Sequence, residues 1–322
     1  MKKIVTMLLQ IGLLVLGFVV LIKGADWLVN GASSLAKKHN VSDLAIGLTV
    51  VAFGTSAPEM VVNIFASLQN HQEIVFGNII GSNNFNLFVI LGIAGLITPL
   101  VVQSSTVRRE IPLSFIAIIL LFFLANDFFL PDRHVLSRFD GLILLAMFGL
   151  FLLYVYRQLK ADPAETRDLD LVHSHGKIWL LILIGLAGLV IGGRLVVTSA
   201  IEMAKAMGVS EKIIGLTIVA AGTSLPELAT SVVAALKKNN DIAVGNIIGS
   251  NIFNIFLILG VSSLVRPLDF DASFNTDLYL LGLGTIVLLL FMFTGKKRKL
   301  DRWEAALLLI GYIVYTVKLV AG

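Results

Sequence analysis

The chain says one thing twice. "GTSAPE" at 54–59, followed by "GNIIGSNNFN" at 77–86, returns as "GTSLPE" at 222–227 and "GNIIGSNIFN" at 245–254. Residues 47–100 align with 215–268 without a gap, and 29 of the 54 pairs are identical. Upstream, "VSDLAIGLT" at 41–49 answers "VSEKIIGLT" at 209–217, and Gly24 and Gly192 share the same offset of 168. A chain of this kind must fold as two copies of one unit.

The unit belongs in a bilayer. Of the 322 residues 57% are hydrophobic and 14% charged, with a mean hydropathy of +0.91, where a soluble domain carries about 25% charge. Apolar runs of roughly 20 residues span a bilayer as helices. Ten are expected, at about 4–24, 43–68, 73–97, 111–130, 138–157, 177–204, 212–236, 241–265, 277–294 and 302–321. The first run is too long for a signal peptide and lacks a small-residue cleavage site. The expected class is an all-α integral membrane protein of ten transmembrane helices in two five-helix repeats. These cover 1–157 and 177–322, joined by a linker at 158–176.

Five spans per copy put the second copy into the membrane upside down. The charges agree with that inversion. Cytoplasmic loops collect Lys and Arg. The loops after odd-numbered spans, with the adjoining span ends, hold fifteen and the opposite side holds eight. The "QNHQE" loop at 69–73 lacks Lys and Arg, whereas its counterpart "KKNND" at 237–241 has two. Both termini are therefore expected outside the cytoplasm, in a multi-pass cell (inner) membrane protein. Inverted repeats that meet at mid-bilayer are a transporter signature.

Polar residues within the spans mark a candidate site. Ser56, Glu59 and Asn63 share one helix face, as do Asn78, Ser82 and Asn86. Their mirrors are Ser224, Glu227 and Ser231, then Asn246, Ser250 and Asn254. Amides and hydroxyls at membrane depth can simply join helices. Two glutamates in the same repeated frame point to a wet cavity or pathway. Pro58 and Pro226 have no N–H for the carbonyls of Gly54 and Gly222, so kinks with free carbonyl oxygens are expected there. Carboxylate, hydroxyl, amide and carbonyl oxygens without Cys or His form a hard set, suited to Ca²⁺ or Na⁺. Gly77, Gly81, Gly245 and Gly249 would let these helices approach closely.

"GTSAPE" with "GNIIGSNNFN", doubled as "GTSLPE" with "GNIIGSNIFN", resembles the two alpha repeats of the cation/Ca²⁺ antiporter superfamily, in its prokaryotic Na⁺/Ca²⁺ exchanger branch. The resemblance covers essentially the whole chain. It implies four ion sites at the centre of the second, third, seventh and eighth spans. The implied ligands are Glu59 and Glu227, with Thr55, Ser56, Thr223 and Ser224. Ser82, Asn86, Ser250 and Asn254 and the carbonyls of Ala52 and Ala220 complete the set. The resemblance also implies that the first and sixth spans, around Gly24 and Gly192, slide as a pair across the core. Asn254 departs from the aspartate that many superfamily members carry, leaving two carboxylates rather than three and weakening any case for K⁺ co-transport.

The expected activity is Na⁺-driven Ca²⁺ extrusion, with Ca²⁺ and Na⁺ as substrates, the lipid bilayer as surroundings and no cofactor. No nucleic-acid or protein partner is indicated. A Ca²⁺/H⁺ antiporter on the same scaffold and a passive cation channel are the alternatives. An intramembrane hydrolase would want a His, Lys or metal partner for its nucleophile, and His39, His71, His134, His173 and His175 all fall in expected loops. "HSH" at 173–175 and the acidic residues Asp162, Glu165, Asp168 and Asp170 read as solvated linker. "KKRK" at 296–299 is explained by the positive-inside rule, though it could bind anionic lipid. Lys23 and Asp26, three apart, read as a structural ion pair.

Overall fold

The computed structural model describes residues 2–126, 134–161, 174–207, 220–294 and 298–321. Residues 162–173 of the linker, with its acidic residues and His173, lie outside these. So do 208–219, where the seventh expected span begins, and Lys296 and Lys297. The helices are α1 (Lys2–Lys38), α2 (Asp43–Thr55), α3 (Ala57–Leu68), α4 (Gln72–Ile97), α5 (Ile111–Asn126) and α6 (Arg138–Ala161). The second half has α7 (His175–Ala206), α8 (Ala220–Thr223), α9 (Leu225–Leu236), α10 (Asn240–Val265), α11 (Asn275–Phe291) and α12 (Arg302–Ala321). Among the described residues six helices are long and apolar enough to cross a membrane, or seven when the bent pair α2 and α3 counts as one.

The helices sort by burial. Most of α10 and α4 is enclosed by protein, and α1 is the least covered of the long apolar helices. Its exposed side chains include Leu8, Leu9, Val15, Val19 and Ile22. Leucine and valine facing outward over such a length are at home in lipid tails.

The two halves interlock reciprocally. α1 and α7 lie along each other through glycines. A Cβ at Gly24 would sit 2.7 Å from the Leu189 nitrogen, and one at Gly192 would sit 2.5 Å from the Leu21 nitrogen. Gly17 against Val196 and Gly185 against Leu28 repeat the relation, at 2.9 and 2.6 Å. In each case both partners shift by 168 residues, so the contact maps onto itself when the halves are exchanged. Backbones this close exclude any side chain, as in other small-residue membrane interfaces.

Short strands tie the rims in the same crossed manner. β1 (Leu100–Val101) pairs with β4 (Lys299–Leu300), and β2 (Val135–Leu136) pairs with β3 (Leu268–Asp269). Arg302 at the start of α12 donates to the Ile97 carbonyl at the end of α4, and Arg138 of α6 donates to the Leu264 carbonyl of α10. A cation at a helix C-terminus also meets the negative end of the helix dipole. The turns Asn70 and Lys238, equivalent by the repeat, are both left-handed, with φ of 64° and 59°.

The kinks fall where the prolines place them, with one difference. α2 and α3 bend by 47°. The break is at Ser56 (φ −83°, ψ 4°), and at Ser224 (φ −86°, ψ 7°) between α8 and α9. Both prolines lie in the first turn of the following helix, where a missing N–H does no harm. The ion pair expected between Lys23 and Asp26 does not form. Asp26 instead pairs with Lys237 of the other half at 2.5 Å, and that ammonium also reaches Asn30 at 2.6 Å. His175 opens α7 rather than lying in a loop, with Ser174 capping the helix.

Candidate ion-binding site

The two breaks deliver the two glutamates to one place. Glu59 and Glu227 occupy the first turns of α3 and α9, and both are fully enclosed, each about 1% exposed. Each has the other half for company. Glu59 lies beside the Thr223 hydroxyl and the Glu227 carboxylate. Glu227 lies beside Thr55, Ser56 and Ser250. The Lys237–Asp26 and Lys299–Asp301 ion pairs sit elsewhere, so no ion pair among the described residues neutralises either glutamate.

The side-chain oxygens of the expected ligand set divide into engaged and free. The Ser56 hydroxyl donates to Glu227 Oε1 at 3.0 Å, and Ser250 approaches the same atom at 3.5 Å. The Thr55 hydroxyl donates to Asn246 Oδ1 at 3.0 Å, and Thr223 donates to Asn78 Oδ1 at 3.2 Å, a mirrored pair. Buried without any hydrogen-bond partner are both oxygens of Glu59 and Oε2 of Glu227, with Oγ of Ser82 and Ser224 and Oδ1 of Asn86 and Asn254. These are seven oxygens from four helices and both halves. Buried polar atoms normally find partners. An acceptor set left this bare suits a cation, and Ca²⁺ takes roughly six to eight oxygens.

Not every expected ligand is free. The Ala52 carbonyl accepts from the Ser56 N–H at 3.0 Å, and the Thr55 hydroxyl lies 3.3 Å from it. The kink therefore leaves it satisfied rather than open, because the helix continues to Ser56 before it breaks. Ala220 stands at the start of α8. Gly245 and Gly249 do provide close approach: a Cβ there would meet the α2 backbone at 3.0 and 2.9 Å.

Two features escaped the sequence reading. α4 and α10 widen into π-helical turns at Phe85–Ile90 and Phe253–Leu259, so Asn86 and Asn254 do not simply continue the α-helical face of Ser82 and Ser250. Such turns often mark functional sites. Asn83 and Asn251 are the other: each donates to the carbonyl of the other across the interface. Their signal was in the repeat itself, in the third letter of the doubled "GSN".

A family model described as "Sodium/calcium exchanger protein" matches residues 9–157 and 177–321. The chain belongs to the sodium/calcium exchanger family. The two matched stretches flank the linker. Sodium/calcium exchanger MaX1 of Methanosarcina acetivorans is 34% identical over 347 residues, covering 95% of this chain and 97% of that protein. Inner membrane protein YrbG of Escherichia coli is 36% identical, with 97% of each covered. A solved structure of the sodium-calcium exchanger NCX_Mj, soaked with Na⁺ and Ca²⁺, superposes with a TM-score of 0.81 at 34% identity, covering 96% of this chain and 98% of that one. Membership makes this chain a membrane protein of a cation/Ca²⁺ exchange family, a transporter family rather than an enzyme family.

Proposed function

We propose that the protein is a secondary active antiporter that exchanges Na⁺ for Ca²⁺ by alternating access and extrudes Ca²⁺ from the cell. The observation that carries this is the pair of enclosed, unneutralised glutamates, accompanied by buried neutral oxygens without partners in both halves. Enclosed charges cost several kcal/mol each unless paired. One Ca²⁺ balances both carboxylates, and so do two Na⁺; a third Na⁺ would leave the carrier positive. The ions therefore compete for one negative cluster, and the empty, doubly charged site resists changing sides. That resistance couples the two fluxes.

Proton coupling would account for less. A proton on a carboxylate needs one acceptor, whereas the free oxygens of Ser82, Ser224, Asn86 and Asn254 are surplus to two protons. The proposed ligands are Glu59, Glu227, Thr55, Thr223, Ser56, Ser224, Ser82, Ser250, Asn86 and Asn254, with the Ala220 carbonyl and with the Ala52 carbonyl once ion entry frees it. In this reading ten helices form two inverted five-helix repeats, 1–157 and 177–322, around a cytoplasmic linker at 158–176. Both termini face outward from the inner membrane. No cofactor or protein partner is needed.

The test is ⁴⁵Ca²⁺ uptake into proteoliposomes with voltage clamped by ionophore. An outward Na⁺ gradient should drive uptake, and a pH gradient should not. Uptake under the pH gradient alone would favour H⁺ exchange, and flux indifferent to any counter-ion would favour a channel. Topology is tested separately. The chain has no cysteine, so Asn70→Cys and Lys238→Cys can each be labelled with an impermeant thiol reagent. The first should react only from outside and the second only from the cytoplasm. Labelling of both from one side would refute the inversion.

A further inference from the structure

Asn83 and Asn251 sit where α4 crosses α10, each no more than 2% exposed. Asn83 Nδ2 donates to the Asn251 carbonyl at 3.2 Å, and Asn251 Nδ2 donates back to the Asn83 carbonyl at 3.4 Å. A backbone carbonyl can only accept. Each amide must therefore present its nitrogen there and cannot be turned over. That choice fixes the next one. Asn83 Oδ1 can only accept, and it takes Nδ2 of Asn254 at 2.9 Å. Asn251 Oδ1 takes Nδ2 of Asn86 at 3.0 Å. With their nitrogens committed, Asn86 and Asn254 have their oxygens left over, both buried and without a partner. The orientation of four amides thus follows from two backbone carbonyls.

We infer that Asn83 and Asn251 are positioning residues that hold the Asn254 and Asn86 amides with oxygen, not nitrogen, toward the transported cation. The inference rests on the proposed exchange reading. A reversed amide would place an NH₂ against the cation, so the lattice selects for cations at the level of a dipole. It does so crosswise: Asn83 acts through Asn254, and Asn251 acts through Asn86. It also explains why a neutral amide serves at position 254. An ionised aspartate there would set a carboxylate oxygen against Asn83 Oδ1, acceptor to acceptor.

The test is a double-mutant cycle read by equilibrium ⁴⁵Ca²⁺ binding to the purified protein. Asn83→Ala and Asn251→Ala should each weaken apparent Ca²⁺ affinity about tenfold, as removal of an outer partner of a cation ligand does. The penalty of Asn83→Ala should vanish in an Asn254→Ala background and persist in Asn86→Ala. Asn251→Ala should show the opposite pattern, which general loosening of the helix crossing would not produce. If one variant fails to fold, the cycle in the other half still decides the matter. Single variants with unchanged affinity, or penalties that persist equally in both backgrounds, would overturn the inference and leave the exchange reading standing. A wild type that binds no Ca²⁺ would overturn both.

Discussion

The two halves of the site hold the same residues in different states. Glu227 has its serines in place, Ser56 at 3.0 Å and Ser250 at 3.5 Å. Glu59 has the equivalent serines, Ser224 and Ser82, but both of their hydroxyls and both of its own oxygens are without partners. Thr55 is fully enclosed, while its mirror Thr223 is only half-buried. Since the chemistry is duplicated, the difference is one of conformation. In the proposed reading, a carrier of two inverted copies has one copy closed and the other open, and exchanging the two conformations would face the same glutamates to the other side of the membrane.

The comparison breaks most visibly at the glutamates. Despite their unequal surroundings, Glu59→Gln and Glu227→Gln should each abolish Ca²⁺ exchange in the proteoliposome assay. Each removes one of the two charges that balance the dication, and an uncompensated buried charge costs about 3–5 kcal/mol, well over a hundredfold in affinity. Near-normal transport in either variant would remove that residue from the site and end the equivalence of the halves.

A smaller effect is expected where the structure is already symmetric. Gly24→Ala and Gly192→Ala each push a methyl into the backbone of the facing helix. Overpacking of this kind costs about 1–3 kcal/mol. Thermal unfolding in detergent should show two similar drops in midpoint. Markedly unequal drops would mean that the α1–α7 contact is less reciprocal than its distances.

The serines give the finest test. Ser56 has a carboxylate partner here and Ser224 has none. If the difference is only of state, Ser56→Ala and Ser224→Ala should raise the half-saturating Ca²⁺ concentration to a similar extent. About 1 kcal/mol is lost with one such bond, roughly fivefold. A silent Ser224→Ala would show that the half-sites differ in role.

Much of this was legible because the chain repeats itself. The doubled "GTS-x-PE" and "GNIIGSN" mark both glutamates, the serines of the same stretches and the proline breaks. A motif reports residue type and spacing, so it could not report who faces whom. Asp26 was expected to pair with Lys23 along its own helix, and it pairs with Lys237 across the halves. The widened turns around Asn86 and Asn254 have no local sequence signal. The doubled "GSN" marks Asn83 and Asn251 as repeated residues but not as each other's partners, because their exchange depends on two helices crossing at one residue each. The inequality of Glu59 and Glu227 could not be read at all, since the two stretches that hold them are nearly the same text.

The central claim is that one pair of carboxylates serves both ions in turn. It is tested most directly by equilibrium ⁴⁵Ca²⁺ binding to the purified protein as Na⁺ is raised, with K⁺ replacing Na⁺ at constant ionic strength as the control. The account predicts that Na⁺ displaces all bound Ca²⁺ cooperatively, that K⁺ does not, and that Glu59→Gln/Glu227→Gln binds neither ion in this way. Ca²⁺ that stays bound at saturating Na⁺, or binding that survives the double substitution, would contradict it.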